Sequence, residues 1–453
     1  MLKRKVTREI EQWGNSESNK ALFIVGARQI GKSFAIREFG KSNFKQFIEI
    51  NLYENDRARK ALADARSADD FITRVTVLTG QSIISGETLV FIDEVQESRD
   101  IMTMVKFLVE DGRCRWAFSG SMLGTELKGI KSYPVGYVHE ITMRPMDFEE
   151  FCWAIGVSSA AFGAIEHCCG LETPIDDYIH DAMMSNFRTY LVVGGMPEVV
   201  QRFLDSKGDM GVVRNLQIDL NVQYKRDISK YAGRRALNVQ GIYDLLPIQL
   251  EGDNHRFMVG SIDESARYRG YEHDFVWLER AGVVLKTNQV SEPKSPLLKT
   301  ADVAKFKLYQ SDVGMLMARY PLATAQAAYL DDKSPNLGGV YENAIAQQLV
   351  AQGYQLYFFN TRKRGEVDFV AEGDDGVAVP IEVKSGLYYH AHASLDKLLA
   401  NEGYGLEQGI VLSRGNIERD GKVLYLPLYA VYLLPKYLDG SVKPCFKLRV
   451  RQV

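Results

Sequence analysis

The first third of the chain alternates short apolar runs with stretches whose apolar residues recur every three or four positions. The runs are Ala21-Leu-Phe-Ile-Val25, Phe47-Ile-Glu-Ile-Asn-Leu52, Leu89-Val-Phe-Ile92 and Cys114-Arg-Trp-Ala-Phe118. Their length and near absence of a polar face predict strands buried on both sides. Between them, Phe34 to Phe39 and Ile101 to Glu110 read as helices. Strands alternating with helices predict an α/β domain on a parallel sheet, expected over residues 1–145. From Pro145 the pattern turns to long, mainly helical stretches, most clearly broken at Gly194-Gly-Met-Pro197, so residues 146–335 read as a helical middle region. Within it Glu272 to Arg280 is amphipathic and runs through Ala281-Gly282 into apolar residues. A helix that ends at glycine and enters a strand pair has the succession of a winged helix, and equally that of a module that only packs against its neighbours. The polar, glycine-rich Ser334-Pro-Asn-Leu-Gly338-Gly339 marks the next boundary, and residues 336–453 return to helix and strand.

The first apolar run leads directly into Gly26-Ala27-Arg28-Gln29-Ile30-Gly31-Lys32-Ser33. This is a G-x-x-x-x-G-K-[ST] phosphate loop (P-loop) in strand, turn, helix context, where turn N–H groups and the positive end of a helix converge on an anion. Lys32 would reach the β- and γ-phosphates of ATP, and the Ser33 hydroxyl would ligate Mg²⁺. The run Leu89-Val-Phe-Ile-Asp93-Glu94 delivers two carboxylates to the end of a buried strand. There Asp93 can hold the Mg²⁺ shell and Glu94 can polarise the attacking water. Ser119-Gly-Ser121, at the end of the fourth run, puts hydroxyls where a sensor of the γ-phosphate belongs, and either Ser119 or Ser121 could serve; a cap for the next helix is the competing reading.

In the C-terminal region the helix Val340 to Leu349 carries Glu342, and strands follow at Tyr354–Phe359, Thr361–Val370 and Ala378–Ser385. Residues two apart in a strand share a face, so Glu366 pairs with Asp368 and Glu382 with Lys384. Such charges inside apolar strands are expensive unless they serve a site. Asp368, Glu382 and Lys384 form the D…E-x-K arrangement of metal-dependent nucleases, with Glu342 as a third carboxylate: Asp368, Glu382 and Glu342 would hold Mg²⁺, and Lys384 would orient the nucleophile. A solvated strand edge gives the same alternation. His390 and His392 follow closely and read as exposed histidines at a helix start.

Composition narrows the partners. Hydrophobic residues are 46% and charged residues 25%, a globular mixture, and the net charge of -3 leaves any nucleic-acid contact to a local basic face. Outside Lys363-Arg364 no basic stripe is evident. Five cysteines in 453 residues argue for reduced thiols; His167-Cys168-Cys169 lacks the spacing that closes two thiolates on one zinc. No apolar stretch approaches bilayer length, and the charged start lacks the core of a signal peptide, so the expectation is a cytoplasmic chain without membrane contact.

These motifs together resemble a large bacterial and archaeal family that joins an AAA-like P-loop ATPase to a helical and winged-helix middle and a C-terminal domain of unknown function with a restriction-endonuclease-like core. The resemblance rests on Gly26 to Ser33, Asp93-Glu94-Val-Gln96, Ser119-Gly-Ser121, Pro145-Met-Asp-Phe-Glu-Glu-Phe151, Gly194-Gly-Met-Pro-Glu198, Tyr224-Lys-Arg-Asp227, Asp312-Val-Gly314, Tyr341-Glu342-Asn343, Glu366-Val-Asp-Phe369 and Ile381-Glu-Val-Lys-Ser385. It implies an ATP-binding protein and Mg²⁺-dependent ATPase coupled to a nuclease-like, DNA-acting domain. The alternative is a nucleotide-dependent switch or scaffold whose nuclease-like domain only binds DNA or a protein partner. A homo-oligomer stays open. Family members tend to carry Gly-Arg where this chain has Gly136-Tyr137. The missing arginine implies slow hydrolysis unless Arg144 substitutes.

Overall fold

The structure is a computed structural model that describes residues 2–121, 134–252, 255–332, 335–373 and 375–439. Five strands, β1 (Ala21–Gly26), β2 (Gln46–Asn51), β3 (Thr88–Asp93), β4 (Arg115–Ser121) and β5 (Val138–Thr142), pair in parallel in the order β2-β3-β4-β1-β5. The apolar runs are continuous because both faces are covered. Leu22 and Ile24 pack with Trp13, Ile36 and Phe39, whereas Ala21, Phe23 and Val25 pack with Phe71, Ile92 and Trp116 on the other side. With β1 between β4 and β5, the loop after β1 opens at the carboxyl ends of the strands, where open α/β sheets bind ligands.

The middle region is helical, as the pattern predicts, and includes Phe148–Ala154, Asp177–Val193, Pro197–Asp205, Met210–Tyr231, Ala236–Glu251 and Tyr268–Arg280. Its glycine break has a steric cause. A Cβ on Gly195 would stand 1.9 Å from the Met146 carbonyl oxygen, and one on Gly194 (φ +75°) 2.3 Å from Asp312 Oδ1. Buried Asp312 fastens this crossing by accepting N–H bonds from Gly195 at 2.6 Å and Met315 at 2.9 Å. Met210–Tyr231 is anchored beside it: Gln217 Nε2 donates to the carbonyls of Val192 and Val193, both at 2.9 Å, and Asn221 Nδ2 to that of Met315 at 3.1 Å.

A second sheet runs in the order β12-β13-β11-β10-β9-β8-β6-β7. Its strands are β6 (Val284–Val290), β7 (Ala301–Gln310), β8 (Tyr357–Thr361), β9 (Gly365–Glu372), β10 (Ala378–Lys384), β11 (Gly409–Ser413), β12 (Glu418–Asp420) and β13 (Val423–Pro427). The helix, glycine and strand pair expected after residue 267 are present as Tyr268–Arg280, Gly282 and the antiparallel β6/β7 hairpin. That hairpin does not stand free. Asn288, Gln289 and Val290 pair in parallel with Tyr357, Phe358 and Phe359, so the C-terminal sheet includes strands from before residue 335. The helix Gly338–Ala351 packs on this sheet, Ile345 sharing a core with Phe369 and Ile381. No helix among the described residues is long and apolar enough to cross a membrane.

Candidate functional site

The loop after β1 takes its shape from three left-handed or glycine-specific positions, Gly26 (φ +151°), Gln29 (φ +63°) and Gly31 (φ +90°). A Cβ on Gly26 would meet the Met143 carbonyl oxygen at 2.3 Å. Gly31 opens the helix Lys32–Asn43, whose free N–H groups face the loop. Lys32 is 5% exposed, and its ammonium donates only to the carbonyl oxygens of Gly26 (3.1 Å) and Ala27 (2.7 Å). Burial pushes its pKa down to about 8 despite Glu94 and Asp93 nearby. An ammonium in this position, held by carbonyls and no carboxylate, fits a polyphosphate.

Asp93, at the end of β3, gathers the polar groups beside it. Its Oδ1 accepts from Ser33 Oγ at 2.9 Å, from the Glu94 N–H at 3.0 Å and from Ser119 Oγ, and Asn51 Nδ2 donates to its Oδ2 at 3.3 Å. Ser33, Asp93 and Ser119 therefore lie together as a set suited to a hydrated Mg²⁺. The Ser121 side chain lies outside the described part. Glu94 follows with φ +55°, a turn that aims its carboxylate at the Gln96 amide. A Cβ on Gly120 would stand 3.1 Å from Gln96 Oε1, which accounts for a glycine between the two serines.

Sequence reasoning missed the roof of this site. The helix Met210–Tyr231 crosses the loop and holds it from above: Arg28 Nη1 donates to Asp227 Oδ1 at 2.5 Å, Arg28 Nη2 to the Tyr231 hydroxyl at 2.8 Å, and Gln29 Nε2 to Gln223 Oε1 at 2.5 Å. Tyr224 donates to the Arg28 carbonyl at 3.3 Å, and Tyr231 to Glu97 Oε1 at 2.9 Å. The available signal was spacing, since Gln223, Asp227 and Tyr231 recur every four residues along one helix face.

Tyr137 is not part of this chain's own loop site. Its carbonyl accepts the Ala21 N–H at 2.9 Å and its hydroxyl donates to Glu110 at 2.8 Å, at the amino end of the parallel β1/β5 pair. The loop lies at the other end of β1, so in this chain's own site the tyrosine removes no arginine. Arg144, beyond the carboxyl end of β5, lines a cavity of about 350 Å³ together with Gly26 and Ala27.

On the second sheet the charges predicted to converge do so. Ile381 pairs with Phe369 across β10 and β9, which puts Glu382 and Asp368 at the next opposed positions. Lys384 Nζ lies 2.8 Å from Glu382 Oε1, and the Val383 N–H donates to Asp368 Oδ2 at 2.8 Å. The centre is occupied by a residue outside the expected set. Lys307 of β7, fully buried, places its ammonium 2.5 Å from Glu342 Oε1, 2.9 Å from Glu366 Oε1 and 3.7 Å from Asp368 Oδ1. Glu342 also bonds His255 and Tyr309, and Arg256 lies 2.9 Å from Glu366. Burial would raise the Glu342 pKa, but Lys307 and His255 bring it down to about 2. Asp368 is pushed well above the carboxylate range by burial and by the Glu382 and Glu342 charges, and burial also raises Glu382.

Among the described residues no group of three His, Cys, Asp or Glu is arranged to hold a metal ion, contrary to the expectation for Asp368, Glu382 and Glu342 together. The reason is that Glu342 spends its oxygens on Lys307, His255 and Tyr309. Glu382 Oε2 is buried without a partner. His392 is buried against the Tyr425 hydroxyl at 2.6 Å rather than exposed, and His390 bonds Glu418 at 3.1 Å.

Comparison with known proteins gives an AAA domain for the N-terminal region and no assigned function for the regions that follow. Residues 18–152 match the model of an AAA domain, residues 184–326 a domain of unknown function (DUF8612), and residues 337–430 another (DUF4143). No curated protein matches the chain. Among solved structures, the Walker-type ATPase paby2304 of Pyrococcus abyssi is similar over 70% of this chain and 96% of its own, at 13% identity and a TM-score of 0.43. The Aeropyrum pernix ORC2 protein in its ADP form matches 73% of this chain and 93% of its own at 11% identity and a TM-score of 0.27. The Aeropyrum pernix ORC1 protein in complex with DNA matches 73% and 91% at 12% identity and a TM-score of 0.25. The N-terminal region is an AAA-type P-loop ATPase domain, joined to two regions whose matched models carry no assigned function.

Proposed function

We propose that the chain is an ATP-binding, Mg²⁺-dependent ATPase that acts as a nucleotide-dependent switch, its C-terminal sheet binding DNA or a protein partner rather than cleaving DNA. The observation that carries the nucleotide half is Lys32, a buried ammonium bonded to two carbonyls and to no carboxylate, beside Ser33, Asp93 and Ser119. A Mg²⁺ held there would neutralise negative charge developing on the transferred phosphoryl group. Ser33 and Asp93 would hold it, Glu94 would orient water, and Lys32 would hold the phosphates. Lys32→Ala should abolish nucleotide binding, while Glu94→Gln should keep binding and slow turnover. Unchanged ATP affinity in a folded Lys32→Ala protein would refute the assignment. A cytoplasmic setting fits the free thiols of Cys114, Cys152, Cys168 and Cys169.

The second reading, an ATP-licensed nuclease, is favoured by Asp368, Glu382 and Lys384 on one face and by the unpartnered Glu382 Oε2. Lys307 weighs against it, because its ammonium already neutralises the carboxylates that a metal would need. Incubation with Mg²⁺ and linear, nicked, supercoiled and single-stranded DNA, with and without ATP, separates the two. The switch reading expects no cleavage; cleavage that Asp368→Ala removes while ATP binding persists would establish the nuclease.

A further inference from the structure

The cation at the centre of the second sheet is held in an ordered way. Three carboxylates surround the Lys307 ammonium, and each turns one oxygen inward: Glu342 Oε1 at 2.5 Å, Glu366 Oε1 at 2.9 Å and Asp368 Oδ1 at 3.7 Å. Each outer oxygen is fastened by another group. Glu342 Oε2 bonds His255; Glu366 Oε2 accepts from Arg256 Nη2 at 2.9 Å and Asn360 Nδ2 at 2.5 Å; Asp368 Oδ2 accepts the Val383 N–H at 2.8 Å. Carboxylates anchored by their outer oxygens, with their inner oxygens converging on one point, are how proteins present ligands to a divalent cation. Here the point is taken by a fully buried ammonium, and two of the three inner oxygens stand beyond the roughly 2.6 Å limit of a Mg²⁺ or Ca²⁺ shell. The lysine comes from β7, the edge strand of the sheet, which lies on the far side of residue 335 from the carboxylates. Glu366 is outside the carboxylate set expected to bind metal, and Glu382, which belongs to it, pairs with Lys384 at 2.8 Å.

We infer that Glu342, Glu366 and Asp368 form a divalent-cation site that the chain closes with a cation of its own, Lys307. The lysine supplies positive charge where a metal would, and its tether to β7 keeps a metal out. This rests on the reading of the second sheet as a unit that does not cleave DNA, gives that reading a cause, and is independent of the nucleotide site. Exclusion works by competition. A metal must displace the ammonium from two charge-assisted hydrogen bonds, each worth about a factor of ten or more, so the closed site binds a metal about a hundredfold or more weakly than the open one.

The probe is Mn²⁺, titrated into the full chain without nucleotide and followed by the loss of the free ion's electron paramagnetic resonance signal, with Mn²⁺-dependent thermal unfolding alongside. The double variant Lys307→Ala/Asp368→Ala sets the baseline, since it keeps Ser33 and Asp93 but lacks this site. Wild type should show no uptake above that baseline. Lys307→Ala should bind Mn²⁺ about a hundredfold or more tightly than wild type, and its melting temperature should rise with Mn²⁺ concentration. If the uncompensated carboxylates keep Lys307→Ala from folding, Lys307→Ala/Glu342→Gln removes one charge together with the other and should still bind Mn²⁺ through Glu366 and Asp368. A folded Lys307→Ala at baseline, or in its stead a folded Lys307→Ala/Glu342→Gln at baseline, would make Lys307 a plain buried ion-pair partner and overturn the inference. So would a wild type that already binds Mn²⁺ through Asp368; without DNA cleavage, that result leaves the parent reading standing. Mg²⁺-dependent cleavage by wild type that Asp368→Ala removes is the separate outcome that sinks the parent reading.

Discussion

Asp312 offers a measurable test of how the middle region is held together. Its carboxylate is 1% exposed, accepts from the Gly195 and Met315 N–H groups, and lies 3.3 Å from Gln347 Nε2. Burial outweighs these donors and pushes its pKa from 3.8 up to about 6. A carboxyl whose folded pKa is raised binds its proton more tightly when folded. Its contribution to stability is therefore greatest below the unfolded value and is lost as pH rises through about 6. At about 1.4 kcal/mol per pH unit, the shift from 3.8 to about 6 corresponds to about 3 kcal/mol, of which about 2 kcal/mol is reached by pH 4. Asp312→Asn cannot titrate. Its absolute stability at pH 7 mixes relief of a buried charge with a donor placed against a donor, so the informative quantity is the gap between wild type and variant. Urea unfolding followed by tryptophan fluorescence at several pH values between 7 and 4 gives that gap, with the slopes checked for equality. Other titrating groups cancel in the difference. The gap should move by about 2 kcal/mol in favour of wild type as pH falls to 4. A gap constant across the window would show that the Asp312 proton is not held more tightly in the folded chain, and the account of the Gly195 crossing would fail.

Two further outcomes follow from the charges on the two sheets. Lys307→Met should cost about 3–5 kcal/mol, because it leaves the buried Glu342 without its ammonium and takes that ammonium from the half-buried Glu366 as well. A double variant with Glu342→Gln should cost less than the two single losses added, and strict additivity in urea unfolding would refute the pairing. Tyr137→Arg should leave ATP turnover of the isolated chain unchanged, since position 137 lies at the amino end of β5, a strand length from the loop. A rise in kcat would contradict that placement.

Much of the nucleotide site was legible because its parts are local. The glycines of the loop sit where the backbone must turn left-handed or pass close to Met143, and such demands act on single residues. The runs at β1 and β3 read as buried strands because both faces meet apolar cores. Period two placed Glu382 beside Lys384 and Glu366 beside Asp368 before any partner strand was known. The roof was hidden, because Arg28 of the P-loop and Asp227 of the Tyr224-Lys-Arg-Asp227 motif are 199 residues apart and nothing local shows that the two motifs meet. The place of Tyr137 was not legible, because its motif position does not say at which end of a strand it lies.

What the sequence determined by itself was the short-range grammar: which stretches are strand or helix, where an anion can be cradled, and which charges share a face. Tertiary structure alone decided which charges meet. Lys305 and Lys307 stand two apart on β7 and look alike in sequence, yet the Lys305 side chain is 60% exposed and that of Lys307 is fully buried among Glu342, Glu366 and Asp368. The difference comes from a register shift in the β6/β7 ladder, where Lys307 pairs with Thr287 but the pairing passes from Asn288–Phe306 to Gln289–Asp302 and skips Lys305; strand order then brings the Lys307 ammonium to carboxylates more than thirty residues away. A buried charge is tolerated only where distant segments supply its counter-charge, and that supply is set by sheet topology, which no local pattern encodes.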